Sequence, residues 1–290
     1  MDYMIRGIDK KGLIRFFVAV TTDTVEKARE IHNTTPVVSA ALGRTLTACS
    51  IMGVMMKGEG ESISLQIRGD GPIGNIVSVA NPKGDVKGYV KNPDIDLPLK
   101  ANGKLNVGGA VGKNGRITVV KDLGLKDPYI GQSNLVSGEI AEDVANYFFY
   151  SEQQPSAVNL GVMIDRDMTV KASGGYIVQP LPDADEDDIS RLEENIKRSE
   201  PVSSLVNRGL TPEEIAETVF KGFELEILES IKVEYKCDCS REKIESALLS
   251  LDEKEIESMI EEDNGAEVVC YFCNSKYNFS KEDLETLINS

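Results

Sequence analysis

Four cysteines near the C-terminal end constrain this chain more than any other feature. Cys237-Asp238-Cys239 is followed, after thirty intervening residues, by Cys270-Tyr271-Phe272-Cys273. Two close cysteine pairs on separate elements make a four-thiolate tetrahedral site, with a zinc–sulfur distance near ~2.3 Å. The only histidine, His32, lies far away in sequence, so an all-cysteine ligand set is the economical reading. The i, i+2 relation of Cys237 and Cys239 puts both sulfurs on one side of an extended strand. The segment Val269-Cys270-Tyr271-Phe272-Cys273-Asn274 fits the tight turn of a zinc knuckle.

Four thiolates fill the coordination sphere and leave no position for water or substrate, which argues against catalytic zinc. Structural zinc or a thiol switch remains. The section carrying the site is small, so its folding should depend on the metal, which can supply ~10–16 kcal/mol of apparent binding free energy in small fingers. Oxidation would remove both the ligands and that folding energy. The expected metal ligands are therefore Cys237, Cys239, Cys270 and Cys273, with one Zn2+ per reduced chain, and the same four would be the redox-active residues of a thiol switch. The fifth cysteine, Cys49, falls in an apolar helical run and reads as a small buried hydrophobe.

Five cysteines with no basic-then-apolar leader argue against a set of structural disulfides and for a reducing, cytoplasmic setting. The net charge of −16 is unevenly spread. Residues 1–180 hold 20 Lys+Arg and 19 Asp+Glu, whereas residues 181–290 hold 12 and 29. Nucleic-acid binders usually carry the opposite sign, so no nucleic-acid partner is expected. No apolar run approaches the ~20 residues of a membrane span, so no membrane partner is expected either. The acidic last third reads as a solvated surface, or as a region poised to repel itself once its tertiary contacts loosen.

The first 180 residues read mainly as strands. Tyr3–Arg6 and Leu13–Val20 flank the turn Asp9-Lys10-Lys11-Gly12, which predicts a hairpin. Ser62–Arg68 and Asn75–Val79 alternate with period two, and 117–120, 158–164 and 168–178 look like further strands. Two helices interrupt them. Thr35 can cap one that begins at Pro36 and runs to Met56, apolar nearly all round and hence buried across the sheet. Ser137 can cap a second, with Ile140, Val144, Tyr147 and Phe148 on one face.

Composition shifts at Pro180-Leu181-Pro182-Asp183. Beyond it, Ile189, Leu192 and Ile196 share one helical face and Ile215, Val219 and Phe223 another, the latter opened by the capping box Thr211-Pro212-Glu213-Glu214. Ser240 and Asp252 can cap helices over 241–249 and 253–262. A hairpin follows over 268–279, and a last helix starts after Ser280. The fold class is α+β: a β-rich N-terminal core with a buried helix (1–180), a helical linker (181–232) and a small four-cysteine zinc-binding domain (233–290).

Other motifs carry less. Gly69-Asp70-Gly71-Pro72-Ile73-Gly74 matches G-x-G-x-x-G, but a strand rather than a helix follows it and Pro72 interrupts it, so it reads as a turn. Gly112-Lys113 ends a failed P-loop, with Val107 where the first glycine belongs. His32 reads as a satisfied turn histidine. Met52, Met55 and Met56 read as core.

Taken in order, these motifs resemble the redox-regulated holdase chaperones, the 33-kDa heat-shock chaperonin family. The likeness rests on 41–48 (Ala-Leu-Gly-Arg-Thr-Leu-Thr-Ala), on Gln66-Ile67-Arg68-Gly69-Asp70-Gly71-Pro72-Ile73-Gly74, on Tyr150-Ser151-Glu152-Gln153 and on Gly174–Pro182. The most specific part is Cys237-Asp238-Cys239-Ser240-Arg241-Glu242 with the distant Cys270-x-x-Cys273. The resemblance implies a protein that is not an enzyme. It further implies the family's switch, in which oxidants convert the four zinc thiolates to two disulfides, zinc leaves, the C-terminal part unfolds, and unfolding client proteins are bound. A homodimer on activation belongs to the same expectation. Short loops close most readily, so Cys237–Cys239 and Cys270–Cys273 are the expected pairs. The C-terminal section is further expected to cover the apolar linker face until zinc is lost. The alternative is a zinc-ribbon adaptor that holds a fixed macromolecular partner through an intact, constitutive site.

Overall fold

Alternating apolar residues on either side of a glycine-bearing turn make the first element pair. In the computed structural model, which describes residues 1–262 and 264–288, β1 (Tyr3–Asp9) and β2 (Ile14–Val20) form the expected antiparallel hairpin, with Gly12 at φ 74° in its turn. Then come α1 (Thr22–His32), α2 (Pro36–Val54), β3 (Ser62–Arg68), β4 (Asn75–Ala80) and β5 (Asp85–Val90). They are followed by α3 (Val107–Val111), β6 (Arg116–Asp122), β7 (Tyr129–Asn134), α4 (Ala141–Tyr150), β8 (Ala157–Ile164) and β9 (Val170–Pro180). Beyond Pro180 lie α5 (Glu186–Arg198), α6 (Val202–Asn207), α7 (Pro212–Val219), β10 (Leu225–Lys232) and β11 (Glu234–Tyr235).

These elements build one compact unit, Met1–Lys236, on two sheets. The first runs β10-β1-β2-β9-β8 and is antiparallel throughout. The second runs β11-β5-β4-β3-β6-β7, antiparallel except for the β11–β5 pair. Helix α2 lies between them, against β3, β4 and β5 of the second sheet and β8 and β9 of the first. Contrary to the expectation that no apolar run approaches a membrane span, this helix is long and apolar enough to pass for one, yet 94% of its apolar stretch is buried inside the protein, because both its flanks meet a sheet.

Period-two alternation gives the first sheet two apolar faces. Met4, Phe17, Ala19 and Ile177 point toward α2 and the main core. Ile5, Ile14, Phe16, Val18, Tyr176 and Val178 point the other way, and the linker helices cover them. Leu192, Val202, Leu205, Ile215, Ala216, Val219 and Phe220 are buried there, with Ile196 and Phe223 packed at the margin. Glycines in β8 and β9 allow the close approach: a Cβ on Gly161 would lie 2.9 Å from the Ser203 backbone nitrogen in α6. Tyr3 donates to Glu213 at 2.6 Å, and Asn195 donates to the Lys221 carbonyl at 2.7 Å.

Four local expectations change. The linker face was assigned to the C-terminal section, but the outer face of the first sheet covers it; Ile189 alone of its named residues is largely outside that packing, at 37% exposed. The segment 181–232 is helical only as far as α7, and its end forms β10 on the edge of β1. Ser137 does not cap α4. Asp143 takes that role, its carboxylate accepting from the backbone of Val136 (2.7 Å), Ser137 (3.1 Å) and Ile140 (3.1 Å) while Ile140 adopts φ 65°. Thr35 precedes α2 in extended conformation, but its hydroxyl bonds the Ile95 carbonyl instead of the helix end. The Thr211 capping box is present as read, with both hydrogen bonds made.

The glycine-rich segment is a turn, as its sequence context predicts. Gly71 and Ile73 donate to the Val111 and Ala110 carbonyls at 2.9 and 3.0 Å, and Asp70 accepts from the Lys113 and Asn114 backbone. His32 closes α1 and lies 3.2 Å from the Tyr235 hydroxyl. Cys49 is fully buried, and desolvation pushes its thiol up to about 12.

The second unit, Cys237–Ser290, contains α8 (Arg241–Leu248), α9 (Glu253–Glu262), β12 (Gly265–Val269), β13 (Lys276–Ser280) and α10 (Lys281–Ile288). Its core is small: Leu248, Ile256, Ile260, Phe279 and Leu284 are its buried hydrophobics, apart from Cys270.

Candidate metal and redox centre

The four cysteines come together on two short backbone devices. Cys237 and Cys239 sit on the extended run before α8, and Ser240 caps that helix by accepting from the Lys243 backbone at 3.3 Å. Asp238, between the two cysteines, pairs with the Lys243 side chain. Cys270 and Cys273 sit in the connection between β12 and β13. There Cys270 donates its N–H to the Ser275 carbonyl at 2.9 Å and accepts at its own carbonyl from Asn274 at 2.8 Å. Asn274, at φ 57°, supplies the left-handed residue that the turn requires.

Arg241 ties the first device to the second. Its guanidinium donates to the Asn278 carbonyl at 3.0 Å, pairs with Asp283 at 3.0 Å and lies over the Phe279 ring, 4.4 Å from its centroid. One side chain thus joins α8, β13 and α10, so the C-x-C run is positioned by side-chain contacts as well as by its own chain direction.

All four Sγ atoms lie within 4.8 Å of one another. Cys237 Sγ is 3.7 Å from Cys270 Sγ, and Cys239 Sγ is 3.3 Å from Cys273 Sγ. A tetrahedron of sulfurs at ~2.3 Å from zinc has edges of about 3.8 Å, so the cluster has the dimensions of a closed four-thiolate site. The donor set is soft and all-sulfur, which suits zinc and does not suit magnesium or calcium.

The environment divides the four thiols. Burial pushes the Cys237 and Cys270 thiols up. Burial acts on Cys273 too, but hydrogen bonding with Ser275, Cys239 and Cys237 outweighs it and brings that thiol down to about 7. Its Sγ lies 3.2 Å from Ser275 Oγ.

A fifth residue belongs to the site and was not singled out from the sequence. Tyr277, on β13 opposite Val268, donates its hydroxyl to Cys239 Sγ at 3.1 Å. That bond to Cys239, with burial and the neighbouring thiols adding to it, raises the phenol to about 12. The only sequence signal was its place in the strand just past the knuckle.

A family model described as Hsp33 protein matches residues 2–280. The 33 kDa chaperonin of Alkaliphilus oremlandii is 53% identical over 284 residues, covering 98% of this chain and 95% of that one. The 33 kDa chaperonin of Alkaliphilus metalliredigens is 50% identical, covering 99% and 98%. Among solved structures, the 33 kDa chaperonin of Thermotoga maritima, an Hsp33 homolog, superposes with a TM-score of 0.90 at 40% identity, covering 99% and 97% of the two chains.

Proposed function

Because this chain belongs to the Hsp33 family and is a chaperone, we propose that it is a redox-gated holdase switched by the cluster Cys237, Cys239, Cys270 and Cys273. The observation that carries the reading is the convergence of four thiols within 4.8 Å in a unit with a small hydrophobic core. Zinc, when bound by these four sulfurs, supplies a cross-link between the segment before α8 and the β12–β13 turn. The residues 181–232 act as the linker, and residues 237–290 carry the switch.

Oxidation ends the cross-link. Two thiols joining as a disulfide give two electrons and two protons to a peroxide, which leaves as two waters. Each bridge removes two sulfurs from the ligand set, and the proposed pairs are Cys237–Cys239 and Cys270–Cys273. An extended i, i+2 pair has Cα atoms ~6.6 Å apart, at the edge of what a disulfide tolerates, so closing Cys237–Cys239 bends that run. The remaining core of Leu248, Ile256, Ile260, Phe279 and Leu284 is too small to hold the unit alone. The surface offered to clients is the outer face of β1, β2 and β9 together with the linker face that covers it. Both are apolar, and each masks the other while docked. The acidic last third keeps loaded complexes dispersed. Thiolates of this kind persist in a reducing compartment, which supports a cytoplasmic setting.

The test is light scattering from a thermally unfolding client, run with zinc release followed by a metal indicator. Oxidised protein should suppress aggregation and reduced, zinc-loaded protein should not. Equal suppression by both forms removes the switch. Suppression by neither, with zinc retained, favours the zinc-ribbon adaptor, for which the exposed Tyr271 at the knuckle tip would be the natural contact.

A further inference from the structure

The second-layer contact of the cysteine cluster assigns a role to a residue that carries no metal. We propose that Tyr277 sets the oxidation threshold of the centre by donating a hydrogen bond to Cys239 Sγ. This inference rests on the redox-switch reading above and names a residue that regulates it.

A thiolate reacts with a peroxide by pushing a sulfur lone pair into the O–O bond. The sulfur gains the hydroxyl as a sulfenic acid, and the other oxygen leaves as water after taking a proton. A neighbouring thiol then displaces water from the sulfenic acid and forms the disulfide. Both the first attack and bonding to a metal draw on electron density at sulfur. A hydroxyl donating to that sulfur withdraws density, so it lowers nucleophilicity while leaving a ligand in place. Tyr277 is built to do this. Its O–H reaches Cys239 Sγ at 3.1 Å from a strand fixed by its pairing with β12. Its ring is half-buried against the small core of the unit, so its position does not depend on the bond itself. Cys239 Sγ also lies 3.3 Å from Cys273 Sγ, within reach of a partner for disulfide formation, so slowing its reaction slows reaction across the cluster.

Tyr277→Phe removes the hydroxyl and keeps the ring. The zinc-loaded full chain should then release zinc under limiting hydrogen peroxide roughly three- to tenfold faster, the rate equivalent of one net hydrogen bond. A sulfenic-acid trap should label Cys239 more heavily in the variant. A purely structural role for Tyr277 would not move the cobalt(II)-substituted spectrum, whereas loss of the donated bond should shift the sulfur-to-cobalt charge-transfer band to lower energy. Far-UV circular dichroism and zinc content before oxidant should match those of the wild type. If they do not, the band position in whatever fraction holds cobalt still decides the matter. Equal release rates and an unmoved band would overturn the proposal. Wild-type protein that never releases zinc under peroxide would instead overturn the switch reading on which it rests.

Discussion

Phe220 offers a way to separate the proposed client surface from the redox chemistry proposed to expose it. Its side chain is fully buried just beyond α7, with ring centroids 5.2 Å from Phe16 on β2 and 5.8 Å from Tyr176 on β9. Both partners belong to the sheet and Phe220 belongs to the linker region, so truncating it weakens the linker's docking in particular. Phe→Ala at a buried site costs ~3–5 kcal/mol. At 1.4 kcal/mol per decade, that raises the undocked population by roughly a hundred- to several-thousand-fold. Reduced, zinc-loaded Phe220→Ala protein should therefore bind a hydrophobic dye and suppress client aggregation without oxidant, while its zinc content stays at one per chain. Hydrogen exchange over 186–219 reports the docking directly. Fast exchange in α5–α7 with no suppression of aggregation would refute the assignment of this face as the client surface.

Replacing any one of Cys237, Cys239, Cys270 or Cys273 by serine should sharply weaken zinc retention, and Cys49→Ser should not; elemental analysis of the five variants checks this. Non-reducing peptide mapping after peroxide should find Cys237–Cys239 and Cys270–Cys273, and a dominant bridge between the two motifs would count against that pairing. A chain ending before Val233 keeps β10 but loses β11 and the whole cysteine unit, and light scattering should show it active without oxidant. Glu139 links α2 to the loops around it, accepting from Arg44 at 2.9 Å, from Gly108 at 3.1 Å and from Lys100. Burial alone would raise its carboxyl, but Lys100 and Arg44 hold it below its ordinary 4.5. Its contribution should be complete above that pH and fade as pH falls through the lowered value, and Glu139→Gln should flatten this acid limb in thermal melts.

The convergence of the four cysteines was legible at once, because C-x-C with a distant C-x-x-C is the spacing of a four-thiol cluster. So were the β1–β2 hairpin, the alternating β3 and β4, the buried α2 and the Thr211 capping box, all of which follow from local periodicity or local hydrogen bonding. Other features were hidden. β10 was missed because it is an edge strand whose residues are mostly exposed, so it has no clean alternation to read. The cap of α4 was misplaced because Asp143 reaches back to it from inside the helix and Ile140 takes an unusual backbone angle.

The sequence by itself determined a four-cysteine cluster with metal-site spacing and apolar helical faces beyond Pro180. Only the tertiary structure decided that the linker face lies on the outer side of β1, β2 and β9, and that Tyr277 reaches Cys239. The physical reason is the range of the forces involved. Amphipathic periodicity and ligand spacing are set by neighbours within a few residues, whereas apolar burial is non-directional and is satisfied by any face of matching shape. Which face supplies the match depends on how residues some two hundred positions apart, such as Tyr3 and Glu213, are brought together by the fold.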